Sequence, residues 1–391
     1  VSTLALNIIV GAGESAELYH CLSTFRARET FDEIVICQTA TDDAVKAVCD
    51  DFGAKVVTFE WKTPEHPFGD FAGARNTALH ATTSDYVMWL DADDMCLEQY
   101  QEKLITVRDI VRDDKNSEVD AYFMRYDIIS EIDGTPTTVF WRDRIFKRGP
   151  RFRWERAVHE FSCRDWTNIV HGKINNMAVT HEPQKPNYVS AMRNVAILEH
   201  EYKVKKDMSH ETRYFLGRDL LCCGREAEGL ALFEELLCDQ EASPENMYLM
   251  CITAAFYMAY GAHITRPGIG DVVETALTDA ERWARLSLGM DNRYAEPYVI
   301  LGDVYMKRGL VDAAERMYSI ALKKKLNAGT LQNVPFYEEV PAERLSDIYI
   351  MRNQLEKALW YNSRSMAHNP GCEYCKSMRK KMLEVLVSKC D

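Results

Sequence analysis

The chain of 391 residues contains no uninterrupted apolar run of about eighteen residues, the length a membrane-spanning helix requires. Its first stretch, VSTLALNIIVGAGES, lacks the basic flank of a secretion signal. Both absences read as a soluble, unexported protein. An excess of positive charge is missing too, since 47 Lys and Arg stand against 60 Asp and Glu, for a formal charge of −13. That balance disfavours a protein that grips nucleic acid by overall attraction, while leaving a local basic groove open. The twelve cysteines follow no regular disulfide spacing, which fits a reducing, cytoplasmic setting. Cys372 and Cys375 form a single CxxC, and Cys222 and Cys223 are adjacent. One CxxC supplies half of a tetrahedral zinc site and no second pair matches it, so these cysteines read as helix-packing residues.

A chain of this length with 47% hydrophobic residues builds two or three domains. Up to about residue 190, short runs rich in β-branched or aromatic residues (LALNIIV, DEIVICQ, AKVVTFEW, DYVMWL) alternate with stretches of helical spacing such as SAELYHCLSTFRARE and DAVKAVCDDFG. This is the pattern of an α/β domain with a mostly parallel sheet covered by helices. After Pro183 and Pro186 the texture becomes almost entirely helical. Within AEPYVILGDVYMKRGLVDAAERMYSIALKK, the residues Tyr298, Leu301, Gly302, Tyr305, Gly309, Ala314, Tyr318 and Ala321 fall at the spacing of a tetratricopeptide repeat, a helix pair of about thirty-four residues. Fainter copies run through Leu216, Gly217, Leu220, Gly224, Gly229 and Phe233, and through Leu345, Tyr349, Ala358 and Pro370. A fourth, around Ala254, Tyr257, Ala280 and Ala284, is interrupted by AHITRPGIGDVVETA. The expected organisation is therefore an α/β domain over 1–187, a linker helix over 188–209, and all-α tetratricopeptide-like repeats over 210–391, closed by the capping helix KSMRKKMLEVLVSK.

YVMWLDADD raises the question of chemistry. An apolar strand from Tyr86 to Leu90 delivers Asp91, Asp93 and Asp94 to one tip. Clustered carboxylates repel one another and are costly to bury, so they call for a cation or a solvated turn. In parallel sheets, ligands bind beyond the C-terminal strand ends, where this cluster falls. The alternative is a solvated turn in which Asp94 caps a helix over MCLEQYQEKL.

The order IVICQTATDDAV, FGAKVVTFEW, FGDFAGARNTALHATTSDYVMWLDADD and RFRWERAVHE resembles the family-two glycosyltransferases of GT-A fold over roughly residues 4 to 185. The likeness is nearest to the branch with C-terminal tetratricopeptide-like helices that includes sublancin-type peptide S-glycosyltransferases. Its most specific part is ARN followed by a strand and DAD. The resemblance implies a DxD-type site in which a hard divalent ion, Mn²⁺ or Mg²⁺, bridges the diphosphate of a nucleotide-sugar. By position, Asp91 or Asp93, with Ala92 between them, would meet ribose and sugar, and Asp93 or Asp94 would hold the metal. His181 would join the metal or diphosphate. Arg75 and Asn76 would lie beside the nucleotide, the guanidinium on phosphate, or else Arg75 would pair with one of the aspartates. Gln38 stands where the family has a uracil-binding aspartate, with Thr39, Asp42 and Asp43 in the same loop. Gly11 and Gly13 permit either close ligand approach or a tight turn.

For the acceptor side, the resemblance implies a carboxylate base and inversion at the anomeric carbon. Glu160 is the first choice and Glu155 the second, with ion pairs to Arg151, Arg153 or Arg156 as the alternative for either. His159 would orient that base or pack in the core. Lys147, Arg148 and Arg151 would bind phosphate or balance acidic neighbours. The expected activity is glycosyl transfer from a nucleotide-sugar, a UDP-sugar first, to a peptide side chain or a glycan. The repeats would bind the acceptor, form a homodimer or extend the cleft wall. Two alternatives stand beside it: transfer to a hydroxymethylated DNA base, docked on the arginine-rich segment 142–156, and a non-catalytic sugar-nucleotide-binding scaffold, which the departure at Gln38 favours.

Overall fold

The computed structural model describes residues 1–113, 118–129, 135–163, 165–182, 187–239, 242–261, 274–326 and 331–388. They form two compact units, Val1–Asp207 and Met208–Asp391.

The first unit contains strands β1 (Leu4–Val10), β2 (Glu33–Gln38), β3 (Lys55–Thr58), β4 (Tyr86–Asp91), β5 (Asp94–Met95), β6 (Ala121–Ile129), β7 (Pro136–Lys147) and β8 (His171–His181). Its helices are α1 (Ser15–Thr24), α2 (Ala27–Thr30), α3 (Asp43–Phe52), α4 (Phe71–Ala81), α5 (Glu98–Gln101), α6 (Leu104–Arg112) and α7 (Asn187–Lys203). The strands lie in the order β3-β2-β1-β4-β7-β6-β8-β5. The first four are parallel, and the central ones are mostly apolar: every residue of β1 is buried, because helices cover both faces. Beyond β4 the sheet is mixed, with β7 antiparallel to β4 and β6, and β6 parallel to β8.

Strands β6 and β7 escape the sequence reading, which took the arginines of FWRDRIFK for a docking surface. They alternate along β7 instead, and Arg144 is fully buried. The segment expected as a linker helix also differs. Helix α7 belongs to the first unit, where the Arg193 guanidinium lies 4.7 Å from the Phe71 ring and His200 Nε2 lies 3.1 Å from the Glu65 carbonyl. Pro183, Pro186 and residues 262–273 of the interrupting segment lie outside the described residues.

The second unit is made of helix pairs: α8 (His210–Cys222) with α9 (Glu226–Leu237), α10 (Pro244–Tyr260) with α11 (Glu274–Met290), α12 (Glu296–Lys307) with α13 (Val311–Ala321), and α14 (Glu339–Met351) with α15 (Leu355–His368). Helix α16 (Glu373–Ser388) follows. Small residues of the repeat pattern let the partners approach. A Cβ on Gly302 would stand 2.4 Å from the Tyr318 ring, and one on Gly217 would stand 2.6 Å from Phe233. Tyr318 then reaches back, donating to Asp303 at 2.6 Å, as Tyr260 does. The carboxylate of Asp303 thus ties α10, α12 and α13 together.

In an ordinary helix Gly→Ala stabilises by up to about 1 kcal/mol. At Gly302 the ring contact reverses the sign, and Gly302→Ala is expected to destabilise the chain by about 1–3 kcal/mol in a urea titration. A stabilised variant would show that Tyr318 yields freely.

Candidate active site

Gln38 and Asp91 stand at the C-terminal ends of the parallel strands β2 and β4. Gln38 is 5% exposed, with its Nε2 without a hydrogen-bond partner among the described residues. The neighbouring loops are tied to each other. Asp42 caps α3 by accepting from Ala44 N and Val45 N, and also accepts from Gly13 N at 2.8 Å. Gly13 makes this a tight turn at φ 80°, and Glu14 accepts from Gly11 N. Thr39 turns its hydroxyl onto the Val10 carbonyl, and Asp43 sits exposed in the first turn of α3.

At the tip of β4 the three aspartates have different surroundings. Asp94 is 1% exposed, and its carboxylate accepts from Tyr126 Oη at 2.8 Å and from the Asp91 amide at 3.0 Å. Arg144 Nη1 lies 3.1 Å from the same carboxylate. It therefore caps no helix, and the helix that follows begins at Glu98. Asp93 keeps a side-chain exposure of 34%. The pairing of β5 with β8 sets Asp94 opposite His181, so that His181 Nδ1 lies 3.5 Å from Asp94 and 3.6 Å from Asp93. Ligand atoms of Asp93, Asp94 and His181 all fall within 4.8 Å of one another. Two carboxylates and an imidazole are donors suited to Mn²⁺ or Mg²⁺. Ala92, between them, is buried.

Electrostatics follow from this packing. Burial pushes the Asp93 carboxyl up to about 6, with Asp91 and Asp94 adding to the effect and His181 opposing it. Burial disfavours the His181 imidazolium, yet the neighbouring Asp94, Asp93 and Asp91 outweigh it and push His181 up to about 9. For Asp91, burial is outweighed by Arg75, Arg144 and Arg142, which hold its carboxyl well below the usual range.

Arg75 takes the alternative expected of it, an ion pair with one of the aspartates. Its guanidinium is 5% exposed and joins two carboxylates, Asp91 at 2.5 Å and Glu160 at 2.6 Å. Trp89 and Trp154 flank it, with ring centroids 4.5 and 5.0 Å away. Both ends of the Asn76 amide grip the Trp154 backbone, at 2.8 and 3.0 Å. The ARN motif therefore fastens the downstream segment to the strand tip. That segment closes through a bridge between Glu155 and Phe161, and Arg156 and His159 adopt positive φ of 74° and 54° within it. Such backbone is strained for side-chain-bearing residues and is held by its surroundings. Here it carries Glu160 back to Arg75. The ion pair foreseen for Glu160 thus exists, but with Arg75 and not with Arg151, Arg153 or Arg156.

The remaining basic candidates lie elsewhere. Lys147 pairs with Tyr86, at the opposite end of β4 from Asp91. Arg148 binds the Ser84 and Thr83 carbonyls, and Arg151 binds Asp120. Sequence reasoning missed Tyr126 and Arg144 as partners of Asp94. The signal for Arg144 was the two-residue alternation of Arg142, Arg144 and Phe146 along one strand; Tyr126 had none.

A GT-A-type α/β domain joined to a tetratricopeptide-like helical array is the class that this sheet, this strand-tip site and these helix pairs define. Residues 8–169 match the family described as Glycosyl transferase family 2. The chain is similar to a TPR repeat-containing protein of Synechococcus elongatus, 24% identical over 325 residues that cover 81% of this chain and 65% of that protein. It is also similar to the SPbeta prophage-derived glycosyltransferase SunS of Bacillus subtilis, 24% identical over 58% of this chain and 51% of that one. The chain thus spans between half and two thirds of the length of these relatives. Among solved structures, glucosyl-3-phosphoglycerate synthase of Mycobacterium tuberculosis in complex with Mn²⁺ and UDP-glucose aligns at 13% identity and a TM-score of 0.34, over 52% of this chain and 79% of that one. So distant an overlap adds nothing to the reading of this fold.

Two outcomes are expected. A metal ligand must be unprotonated, so Mn²⁺ held by His181 would have to displace its proton, and Kd would fall by up to about tenfold per pH unit as pH rises towards 9. Calorimetry checks this, and an equal slope in His181→Gln would assign the proton elsewhere. Arg75→Met leaves the carboxylates of Asp91 and Glu160 without their shared cation, with an expected loss of about 3 kcal/mol in urea unfolding. An unchanged midpoint would mean that water replaces the guanidinium.

Proposed function

We propose that this protein is a metal-dependent, inverting glycosyltransferase that moves a sugar from a UDP-sugar to a side-chain nucleophile of a peptide or to a glycan. The observation that carries the reading is the convergence of Asp93, Asp94 and His181 at the tip of β4. Asp93, Asp94 and His181 would hold Mn²⁺ or Mg²⁺, and the ion, when bound, supplies positive charge where the leaving diphosphate gathers negative charge. Asp94 is anchored by Tyr126 and Arg144, which leaves Asp93 as the more accessible carboxylate. The unpartnered amide of Gln38 offers a donor to a nucleobase edge in the position of the family's aspartate. Glu160 serves as the base that takes the acceptor proton, with its carboxylate positioned by Arg75. Glu155 is the second candidate. The repeat unit binds acceptor or forms a homodimer, and the chain works in the cytoplasm.

The reading as transfer to a hydroxymethylated DNA base loses Arg144, which is buried against Asp94, and keeps the exposed Lys147, Arg148, Arg151 and Arg153. A non-catalytic scaffold keeps Gln38 and the altered first loop, GAGES, as its arguments.

The test is hydrolysis of a nucleotide-sugar panel with and without Mn²⁺. UDP-sugars are expected to turn over only with metal, and Asp93→Ala is expected to lose at least the roughly 10–100-fold typical of disturbing a metal site's supporting groups. Equal rates in Asp93→Ala and the parent would remove the metal role.

A further inference from the structure

A second cluster of ligating side chains lies in the repeat unit, and it does not involve the strand-tip site. The sequence offers only the CxxC of Cys372 and Cys375, half of a tetrahedral set. The fold adds a third group from another helix. Glu343 of α14 points its Oε2 at both sulfurs, 3.8 Å from Cys372 Sγ and 3.6 Å from Cys375 Sγ. All three ligand atoms lie within 4.8 Å of one another. With Zn–S near 2.3 Å and Zn–O near 2.0 Å, a sulfur and an oxygen sharing one tetrahedral zinc stand about 3.5 Å apart. These side chains already hold nearly that separation.

Their surroundings keep them there. The other oxygen of Glu343 accepts from Arg344 Nη1 at 2.7 Å, which leaves Oε2 turned towards the thiols. Cys375 is fully buried; its carbonyl accepts from Asn362 Nδ2 at 3.0 Å, and the Ser365 hydroxyl lies 3.6 Å from its sulfur. Cys372 stands immediately before α16, and its sulfur accepts from the Cys375 amide at 3.4 Å, which fixes it beside the second sulfur. Thiols are weak donors and compensate a partly buried carboxylate poorly, whereas a cation satisfies all three groups.

We propose that Cys372, Cys375 and Glu343 bind one thiophilic divalent cation, Zn²⁺ by preference, with water completing the tetrahedron on the partly exposed Cys372 side. Binding releases the thiol protons and clamps the capping helix α16 to α14. The ion is structural, and glycosyl transfer does not require it to be reactive.

The experiment uses the full chain, reduced, stripped by a chelator and titrated with Co²⁺ as a spectroscopic stand-in for Zn²⁺. A thiolate-to-cobalt charge-transfer band in the near ultraviolet is expected to saturate at one equivalent and to vanish when Zn²⁺ is added. The strand-tip site has no sulfur ligand, so Asp93→Ala is expected to keep the band. Cys372→Ser, at a partly exposed position that tolerates the change, is expected to lose it, together with the rise in melting temperature that stoichiometric Zn²⁺ gives the parent. Circular dichroism confirms that the variant is folded. Absence of the band in the reduced parent, its persistence in Cys372→Ser, or a Cys372–Cys375 disulfide in place of metal would each overturn the proposal.

Discussion

A single buried guanidinium organises the first unit's site. Arg75 sits between two indole rings and is shared by Asp91 and Glu160, which arrive from a strand tip and from a strained loop some seventy positions further along the chain. An arginine this deeply buried is costly unless its charge and its donors are both met, and the planar fork of the guanidinium is suited to two carboxylates at once. The cost and its compensation fix geometry. Asn76, next in sequence, adds two hydrogen bonds to the Trp154 backbone, so one turn of α4 sets where the loop bearing Glu160 begins and where it returns.

The same logic explains why three acids can share the end of β4. Their neighbours differ: Asp91 has Arg75, Asp94 has Arg144 and Tyr126, and Asp93 has His181, which it shares with Asp94. Repulsion is thereby concentrated on Asp93, the member with no arginine paired to it among the described residues. The acids around His181 favour its imidazolium, which places positive charge beside Asp93. Antiparallel pairing of two residues, Asp94 and Met95, with the end of β8 is what brings that imidazole there.

Much of the architecture was legible because it rests on periodicity. The apolar runs LALNIIV and YVMWL could only be buried strands, and the spacing of Gly302 against Tyr318 announced a close helix pair. The acidic tip was equally plain. What the sequence hid were partnerships between distant segments: Arg75 with Glu160, Tyr126 with Asp94, and Glu343 with the CxxC. Arginine in a strand misled most. In FWRDRIFK, charge suggested a surface, while cation–π stacking of Arg144 on Trp89 and Tyr126 and an ion pair with Asp94 keep that residue in the core. The ARN motif suggested phosphate for the same reason, since a guanidinium serves phosphate and carboxylate alike.

The account depends on a divalent cation between Asp93, Asp94 and His181 that also meets the donor's diphosphate. Its most direct measurement is a crystal of the full chain soaked with Mn²⁺ and a UDP-sugar, with data collected to show manganese by anomalous scattering. The account predicts an anomalous peak within bonding distance of Asp93 and His181 and in contact with both phosphates. A donor bound with no peak there, or a peak elsewhere on the chain, would contradict it.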